Sequence, residues 1–414
     1  MARSSSNPGL LRSVAAIALG ALRVGILYII STEVYFMTGH LRYRSVSFNT
    51  GDGKGPGPHM KAAVYVDKGA PSEVLHIVPV ESAFAAEGNV PPHGMVVVKV
   101  TAAALNPIDF KLMRSSIPFG AKIAGCDLAG VVASTGTGVT NLSPGDKVFG
   151  MLPIVGGSGW GSLAEYVIID ASVLAKAPHS VPLEDAAALP LVSLTVFQVF
   201  EDAGIRPERR EEYASQTIFI QAGSGGVGSI ALQYARNILG FKNVITTCSE
   251  RNLEKCYSLG ATSVIDYRKK DFGEVVRDAD VVLDPLAYLF MEKTINPRNG
   301  ILRPGGQYLH IMSSAWAESS EERNIFKVFH GAYFSWMTYV KHLWDSTSIR
   351  VHSSMVQPGG EKLKIIARLV DDGKLKPVVG RVFEGLGESQ DALAFLATGH
   401  AVGKVLVKIN HPKN

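Results

Sequence analysis

The spacing of apolar and polar positions divides the 414-residue chain into stretches of different period. Ser13–Met37 has almost no period: the run is apolar, with Arg23 and Glu33 its only charges. Over Lys61–Val66 and again over Met95–Val100 the side chains alternate as in half-buried strands, and Gly and Pro clusters between them predict turns. Gly161–Tyr166 leads into Val167–Ile169, a further strand entering the core. Beyond Pro182 the period changes. An apolar helix carrying Leu189, Leu194 and Phe197 precedes the β-branched run Thr217–Ile220, which is followed by a Gly-rich turn and a helical pattern through Ile230, Leu232 and Ala235. Strand signals at Asn243–Thr247, Ser263–Asp266, Asp280–Leu283 and Gly305–Ile311 then alternate with helical ones over Asn252–Leu259 and after Asp271. Strands separated by helices build a parallel sheet through crossover connections.

An α/β protein follows, with short antiparallel strands over residues 60–187, a doubly wound parallel sheet over 188–350 and a closing segment over 351–414. Residues 1–37 are expected to form a hydrophobic helix and residues 38–59, which include TGDGKGPGPH, a Gly/Pro-rich linker. A bilayer span needs about 20 apolar residues, and a central arginine costs about 2.5–3.5 kcal/mol on insertion scales, which neighbouring Ile, Leu and Val offset. Three readings of this segment stay open: a signal anchor, an acid-free organelle-targeting presequence with spaced arginines, and a buried soluble helix. The first makes the protein membrane-associated through residues 13–37, at the mitochondrion or another organelle.

Composition narrows the chemistry. Hydrophobic residues make up 46% of the chain and charged residues 19%, as in an ordinary globular protein, and the formal net charge is +4. The basic residues are scattered, so no nucleic-acid footprint is present. The three cysteines, Cys126, Cys248 and Cys256, have no CxxC spacing and read as reduced, buried thiols.

The turn after Thr217–Ile220 carries Gly223, Gly225 and Gly228 at Gly-x-Gly-x-x-Gly spacing, with Ser224, Gly226 and Val227 between them. A dinucleotide site needs a sharp turn, close backbone approach to a pyrophosphate and close helix–strand packing, and each glycine serves one of these. The helix start then offers its free N–H groups to phosphate. About 20 residues on, an NAD site places an acid against the ribose 2′-hydroxyl. Here the second strand ends in Ser249-Glu250-Arg251, a hydroxyl followed by a guanidinium fork suited to a 2′-phosphate, so NADPH is the expected cofactor. Glu250 fits this poorly unless it points to solvent, and Arg251 also reads as a solvated residue at a helix start.

AALNPIDFKLM (Ala103–Met113), AGCDLAGVV (Ala124–Val132) and GVTNLSPGDKVFG (Gly138–Gly150) precede the Gly-rich turn, while LVDDGKLKPVVGRVF (Leu369–Phe383) and GHAVGKVLVKI (Gly399–Ile409) follow it. In this order the motifs resemble the medium-chain dehydrogenase/reductase superfamily. Within it they are similar to the zinc-free quinone oxidoreductase branch, the subgroup of reticulon-interacting mitochondrial and chloroplast-envelope oxidoreductases. The resemblance covers about Met60 to Ile409. It implies a GroES-like β-rich catalytic domain over 60–187, a Rossmann domain over 188–350, return of the chain to the catalytic domain over 351–414, and pairing into homodimers. It assigns Ser249 and Tyr267 to the adenosine-phosphate pocket and Asp284, His400 and Ala401 to the nicotinamide side. Asp284 is equally a helix cap, and His400 equally a surface residue. The zinc-dependent branch carries ligands where this chain has Asn106 and Cys126, and a later cysteine that is missing near Leu191; a lone thiol does not make a three-ligand site, so no metal is expected.

The implied reaction is reduction of a small hydrophobic quinone or α,β-unsaturated carbonyl. Negative charge grows on the acceptor oxygen, which calls for donors: Asn106 by its amide and Lys111 by its ammonium, with Asp109 as orienting partner. The same residues read structurally as a turn at Asn106-Pro107 with Asp109 capping the next helix. Two rivals stay open, an enoyl-thioester reductase of the same fold and a membrane-tethered NADPH-binding scaffold without turnover. No tyrosine lies between Asn106 and Tyr166, which weakens the first. The aromatics Phe326, Phe329, Tyr333, Phe334 and Trp336 read as core or subunit interface, or as the lining of a substrate channel.

Overall fold

The computed structural model describes residues 49–50, 59–81, 90–114, 122–154, 160–286, 289–311 and 348–411. The expected hydrophobic helix over 1–37, most of the linker over 38–59 and the aromatic stretch over 319–339 lie outside the described residues. Among the described residues, one helical stretch, Leu183–Asp202, is long and apolar enough to cross a membrane, but 72% of it is buried inside the protein, as befits a core helix.

Six parallel strands form the cofactor-side sheet, in the spatial order Ser263–Asp266, Asn243–Cys248, Thr217–Ile220, Ala279–Asp284, Leu302–Ile311 and Arg350–Ser354. Counted along the chain the order is 3-2-1-4-5-6, the doubly wound arrangement. The chain reverses direction across the sheet between Thr217–Ile220 and Ala279–Asp284, and a crevice opens beyond the carboxyl ends of those two strands. Phe219, Val282 and Tyr308 point into a core closed by Phe272, Val276 and Met291. Helix Pro190–Asp202 packs against helix Gly226–Gln233 and against the last two strands, and Phe197 lies against Tyr234 with ring centroids 4.5 Å apart.

A second sheet is largely antiparallel, in the order Val379–Phe383, Lys404–Lys408, Met95–Leu105, Asp127–Thr135, Lys147–Met151 and Leu174–Lys176; Tyr166–Asp170 also pairs with Met95–Leu105. The last part of the chain thus returns to the β-rich half, adding two strands beside Met95–Leu105. A smaller antiparallel sheet holds Asn49–Thr50, Leu75–Glu81, His59–Tyr65 and Lys122–Ile123. All three sheets lie in one compact unit, Phe48–Leu152 with Gly159–Asn414.

The periodicity ended the strand expected over Met95–Val100 five residues too early. Met95–Leu105 continues through Ala102–Ala104, which pair with Asp127–Ala129 on one side and Leu406–Lys408 on the other. Alanine has little strand preference of its own; pairing on both edges overrides it.

Candidate active site

The turn that opens the crevice is built tightly. Ala222 sits at φ 51°, a left-handed conformation costing a non-glycine residue about 1–2 kcal/mol. Its N–H is held at 3.0 Å by the Thr247 hydroxyl, and the Gly223 N–H donates to the Thr247 carbonyl at 3.0 Å, so the second strand anchors the turn. A Cβ on Gly228 would lie 2.2 Å from the Ala222 carbonyl oxygen, so the helix can come this close to the turn only without a side chain. At Gly225 the same atom would meet nothing nearer than that oxygen, at 3.3 Å, which leaves this face of the turn open to a ligand. Helix Gly226–Gln233 starts here, and its first-turn N–H groups have no intrahelical acceptors. An open glycine face followed by free helix N–H groups fits a pyrophosphate.

At the end of the second strand, Ser249 is buried and the Asn252 amide donates to its Oγ at 3.1 Å and to Ser224 Oγ at 3.3 Å. Asn252 therefore ties the Gly-rich turn to the end of the second strand, a role the sequence reading did not assign. The Arg251 guanidinium is at the surface and donates to the His400 carbonyl at 3.3 Å. Glu250 is drawn aside, paired with Lys269 at 2.5 Å and facing solvent. Tyr267 is exposed, with the Arg268 guanidinium 6.0 Å from its ring centroid. Asp284 is fully buried: it accepts from the Tyr308 hydroxyl at 2.5 Å and from the Leu286 N–H at 2.7 Å, so its oxygens hold the turn at the end of its strand, and any effect on a ligand passes through that turn. Burial raises its carboxyl above the usual range, against the pull of those two bonds. His400 is exposed and Ala401 half-buried, both on the loop before Lys404–Lys408.

On the β-rich side a buried polar cluster forms a floor. The Lys404 ammonium donates to the Leu105 carbonyl at 2.8 Å, to Asn106 Oδ1 at 2.5 Å and to Asp127 Oδ2 at 3.0 Å. The Asn106 amide donates to Asp127 Oδ2 at 2.9 Å, and the other Asp127 oxygen accepts the Leu191 N–H at 2.8 Å, at the start of helix Pro190–Asp202. Lys404 and Asp127 side chains are 4% and 0% exposed, so the pair is out of water. Burial pushes Asp127 up and Lys404 pulls it back. Asp109 accepts the Asn106 N–H at 2.7 Å from helix Pro107–Arg114, and burial raises its carboxyl to about 6. Cys126 leans on that carboxyl, and burial pushes its thiol well above the ordinary range. All three cysteines are free and buried. Lys111 is half-buried on the same helix as Asp109.

The sequence thus named Asn106 and Asp109 without the two residues that wire Asn106 in place. Both signals were present: an acid inside AGCDLAGVV and a lysine inside GHAVGKVLVKI. Their pairing was not visible across 277 positions of chain. Among the described residues no group of three or more His, Cys, Asp or Glu side chains could hold a metal ion.

A Gly-rich turn at the switch point of a 3-2-1-4-5-6 sheet, with a β-rich half supplying a polar floor, defines a dehydrogenase or reductase that uses a nicotinamide cofactor. Residues 92–179 match the alcohol dehydrogenase GroES-like domain and residues 259–407 the zinc-binding dehydrogenase domain. The chloroplast envelope quinone oxidoreductase homolog of Arabidopsis thaliana is 32% identical over 324 residues, 77% of this chain and 91% of that protein. The chloroplastic NADPH-dependent alkenal/one oxidoreductase of the same plant is 31% identical over 363 residues, 84% and 79% of the two chains. The quinone oxidoreductase structure from Coxiella burnetii superposes with a TM-score of 0.67 at 26% identity, covering 85% of this chain and 100% of that one. The chain belongs to the zinc-free quinone oxidoreductase branch of the medium-chain dehydrogenase/reductase superfamily.

Proposed function

We propose that the protein passes hydride from NADPH to a quinone or an α,β-unsaturated carbonyl with no metal ion. The observation that carries this reading is the floor itself: Asn106, Asp127 and Lys404 bond one another in the region where the zinc-dependent branch binds its metal. The choice of NADPH is supported by Ser249 and Arg251 at the end of the second strand, and by the pairing of Glu250 with Lys269, which moves the one nearby acid away. The NADPH dependence in the name of the alkenal/one oxidoreductase relative points the same way.

Bound NADPH supplies the hydride; the chain's residues bind, orient and stabilise charge. The N–H groups at Gly226, Val227 and Gly228 and the Ser224 hydroxyl would hold the pyrophosphate on the face left open at Gly225. Ser249, Arg251 and Tyr267 hold the adenosine-phosphate end. The turn braced by Asp284 borders the nicotinamide side, whereas His400, expected there from the resemblance, has its carbonyl held by Arg251 and stays with the adenosine-phosphate end, with Ala401 beside it. For the acceptor oxygen we assign Lys111 as donor; both Asn106 amide N–H groups are already given to Asp127 and the Ala104 carbonyl, so Asn106, with Asp109 fixing its N–H, orders the floor instead of donating to the oxygen. Water is able to supply the last proton, so the reaction demands no dedicated acid. We further propose that the enzyme works as a dimer attached to an organelle membrane through residues 13–37; the envelope location in the name of the Arabidopsis relative supports the organelle.

The test is NADPH consumption with 9,10-phenanthrenequinone, a long-chain enone and an enoyl thioester in parallel. Faster oxidation with the quinone or the enone is the expected result. Turnover of the thioester alone would move the assignment to an enoyl reductase. Binding of NADPH with no acceptor accelerating its oxidation would reject catalysis and favour a scaffold.

A further inference from the structure

One short piece of chain, His400–Lys404, joins the two halves of the site, and it is tied at three points. At its start the Arg251 guanidinium donates to the His400 carbonyl at 3.3 Å. Further on, the Gly403 N–H donates to the Ser224 carbonyl at 2.8 Å, and Gly403 bridges Gly225 in parallel. At its end the Lys404 ammonium holds the Leu105 carbonyl, Asn106 and Asp127. The path between these anchors is fixed. Gly403 lies at φ 60°, and a Cβ there would be 2.1 Å from the Val378 carbonyl oxygen, so no other residue can take this course without moving the neighbouring loop.

Lys404 itself touches both halves. A Cβ built on Gly226 would lie 3.3 Å from Lys404 Cδ, so the lysine stem runs along the first residue of the phosphate-facing helix before its ammonium reaches the floor. Burying that charge is costly, and an apolar side chain of similar size often serves stability as well or better. A charge kept here therefore points to a demand on arrangement. The guanidinium of Arg251 has five N–H donors in a rigid plane. One bond to the His400 carbonyl leaves donors for a phosphate and couples the position of that phosphate to the start of the strap.

We propose that Lys404 is a positioning residue: the strap His400–Lys404 couples recognition of the cofactor's 2′-phosphate at Arg251 to the setting of Asn106 and Asp127 on the floor. The inference rests on the NADPH reading above. By linkage, a floor released from Lys404 must weaken whatever favours the 2′-phosphate.

The experiment is a fluorescence titration of NADPH and NADH into the full chain, as wild type, Lys404→Met, Lys404→Arg, Arg251→Ala and the double variant Arg251→Ala/Lys404→Met. The expected outcome for Lys404→Met is an NADPH dissociation constant at least about fivefold weaker, with NADH changed less than about twofold. Lys404→Arg, which keeps the charge, should recover part of the loss. The double variant should bind NADPH about as well as Arg251→Ala alone, because the two act through one strap. A lysine with only a structural role would weaken both cofactors alike; that result, or losses that multiply in the double variant, overturns the proposal. Should Lys404→Met fail to fold, hydrogen exchange at the Leu191 and Asn106 amides decides. These donate to Asp127 and Asp109. NADPH should slow their exchange more than NADH does in the wild type and not in Arg251→Ala; equal slowing in the wild type overturns the proposal. Wild-type protein that binds the two cofactors equally sinks the NADPH reading, and the strap proposal with it, before any variant is made.

Discussion

Replacing Asp109 by asparagine should stabilise the protein at neutral pH and leave it unimproved in acid. The carboxyl is 3% exposed; one oxygen accepts the Asn106 N–H, and the other has no aligned donor among the described residues. Burial lifts its pKa from 3.8 to about 6, against the pull of the Asn106 N–H, the Cys126 thiol and Lys404, while Asp127 adds to the rise. At 1.36 kcal/mol per tenfold change in proton affinity, that gap corresponds to about 3 kcal/mol of cost for holding the ionised form in the folded protein. The sign follows from which state keeps the proton. Below about pH 4 both folded and unfolded chains are protonated and nothing is lost; between about 4 and 6 the unfolded chain ionises while the folded chain keeps its proton, so stability falls, and the loss is complete once the folded chain ionises above about 6. Asparagine keeps the acceptor for Asn106 and never ionises, though its NH2 lacks a good acceptor, which offsets about 1 kcal/mol. The net gain at pH 8 is about 2 kcal/mol, or about 2–4 °C in Tm for a chain of this size. Thermal unfolding of the cofactor-free protein from pH 4.5 to pH 8 measures it. A Tm difference between Asp109→Asn and wild type that stays constant across that range would refute the buried, proton-holding carboxyl.

Three further outcomes test the site. Arg251→Ala should weaken NADPH about tenfold or more in a calorimeter, since a charge-assisted hydrogen bond contributes about 1.5–3 kcal/mol, and should leave NADH within about twofold; equal losses reject the cofactor choice. Gly228→Ala forces a methyl to within 2.2 Å of the Ala222 carbonyl oxygen, so it should lower stability by an overpacking cost of about 1–3 kcal/mol, read as a lower Tm, and weaken both cofactors. Unchanged affinity would mean that the turn does not seat the pyrophosphate. Prolonged dialysis against EDTA should leave NADPH oxidation unaltered; activity lost to the chelator and restored by zinc would sink the metal-free reading.

Five strands of the parallel sheet could be read from the chain because each carries a short apolar run, four of them followed by a helix, so local period and fold agree; the sixth, Arg350–Ser354, was missed because RVHSS holds a single apolar residue. The Gly-rich turn could be read for a similar reason: it lies within Gly223–Gly228, and Ser249 and Arg251, the residues proposed for the 2′-phosphate, follow at the end of the next strand. The floor was only half visible, because it is assembled from strands far apart in sequence. Lys404 opens a strand whose other lysine, Lys408, reaches the surface and pairs with Glu384. Period alone puts the two lysines on the same face, and only the arrival of Asp127 makes one of them a core residue. A charge flanked by apolar residues in one strand signals an unmet partner, and an opposite charge set the same way in another strand is where to look for it. Applied here, that rule offers both Lys404 and Lys408 of GHAVGKVLVKI to the aspartate of AGCDLAGVV, and the fold decides between them: Lys408 runs out to Glu384 and Lys404 meets Asp127.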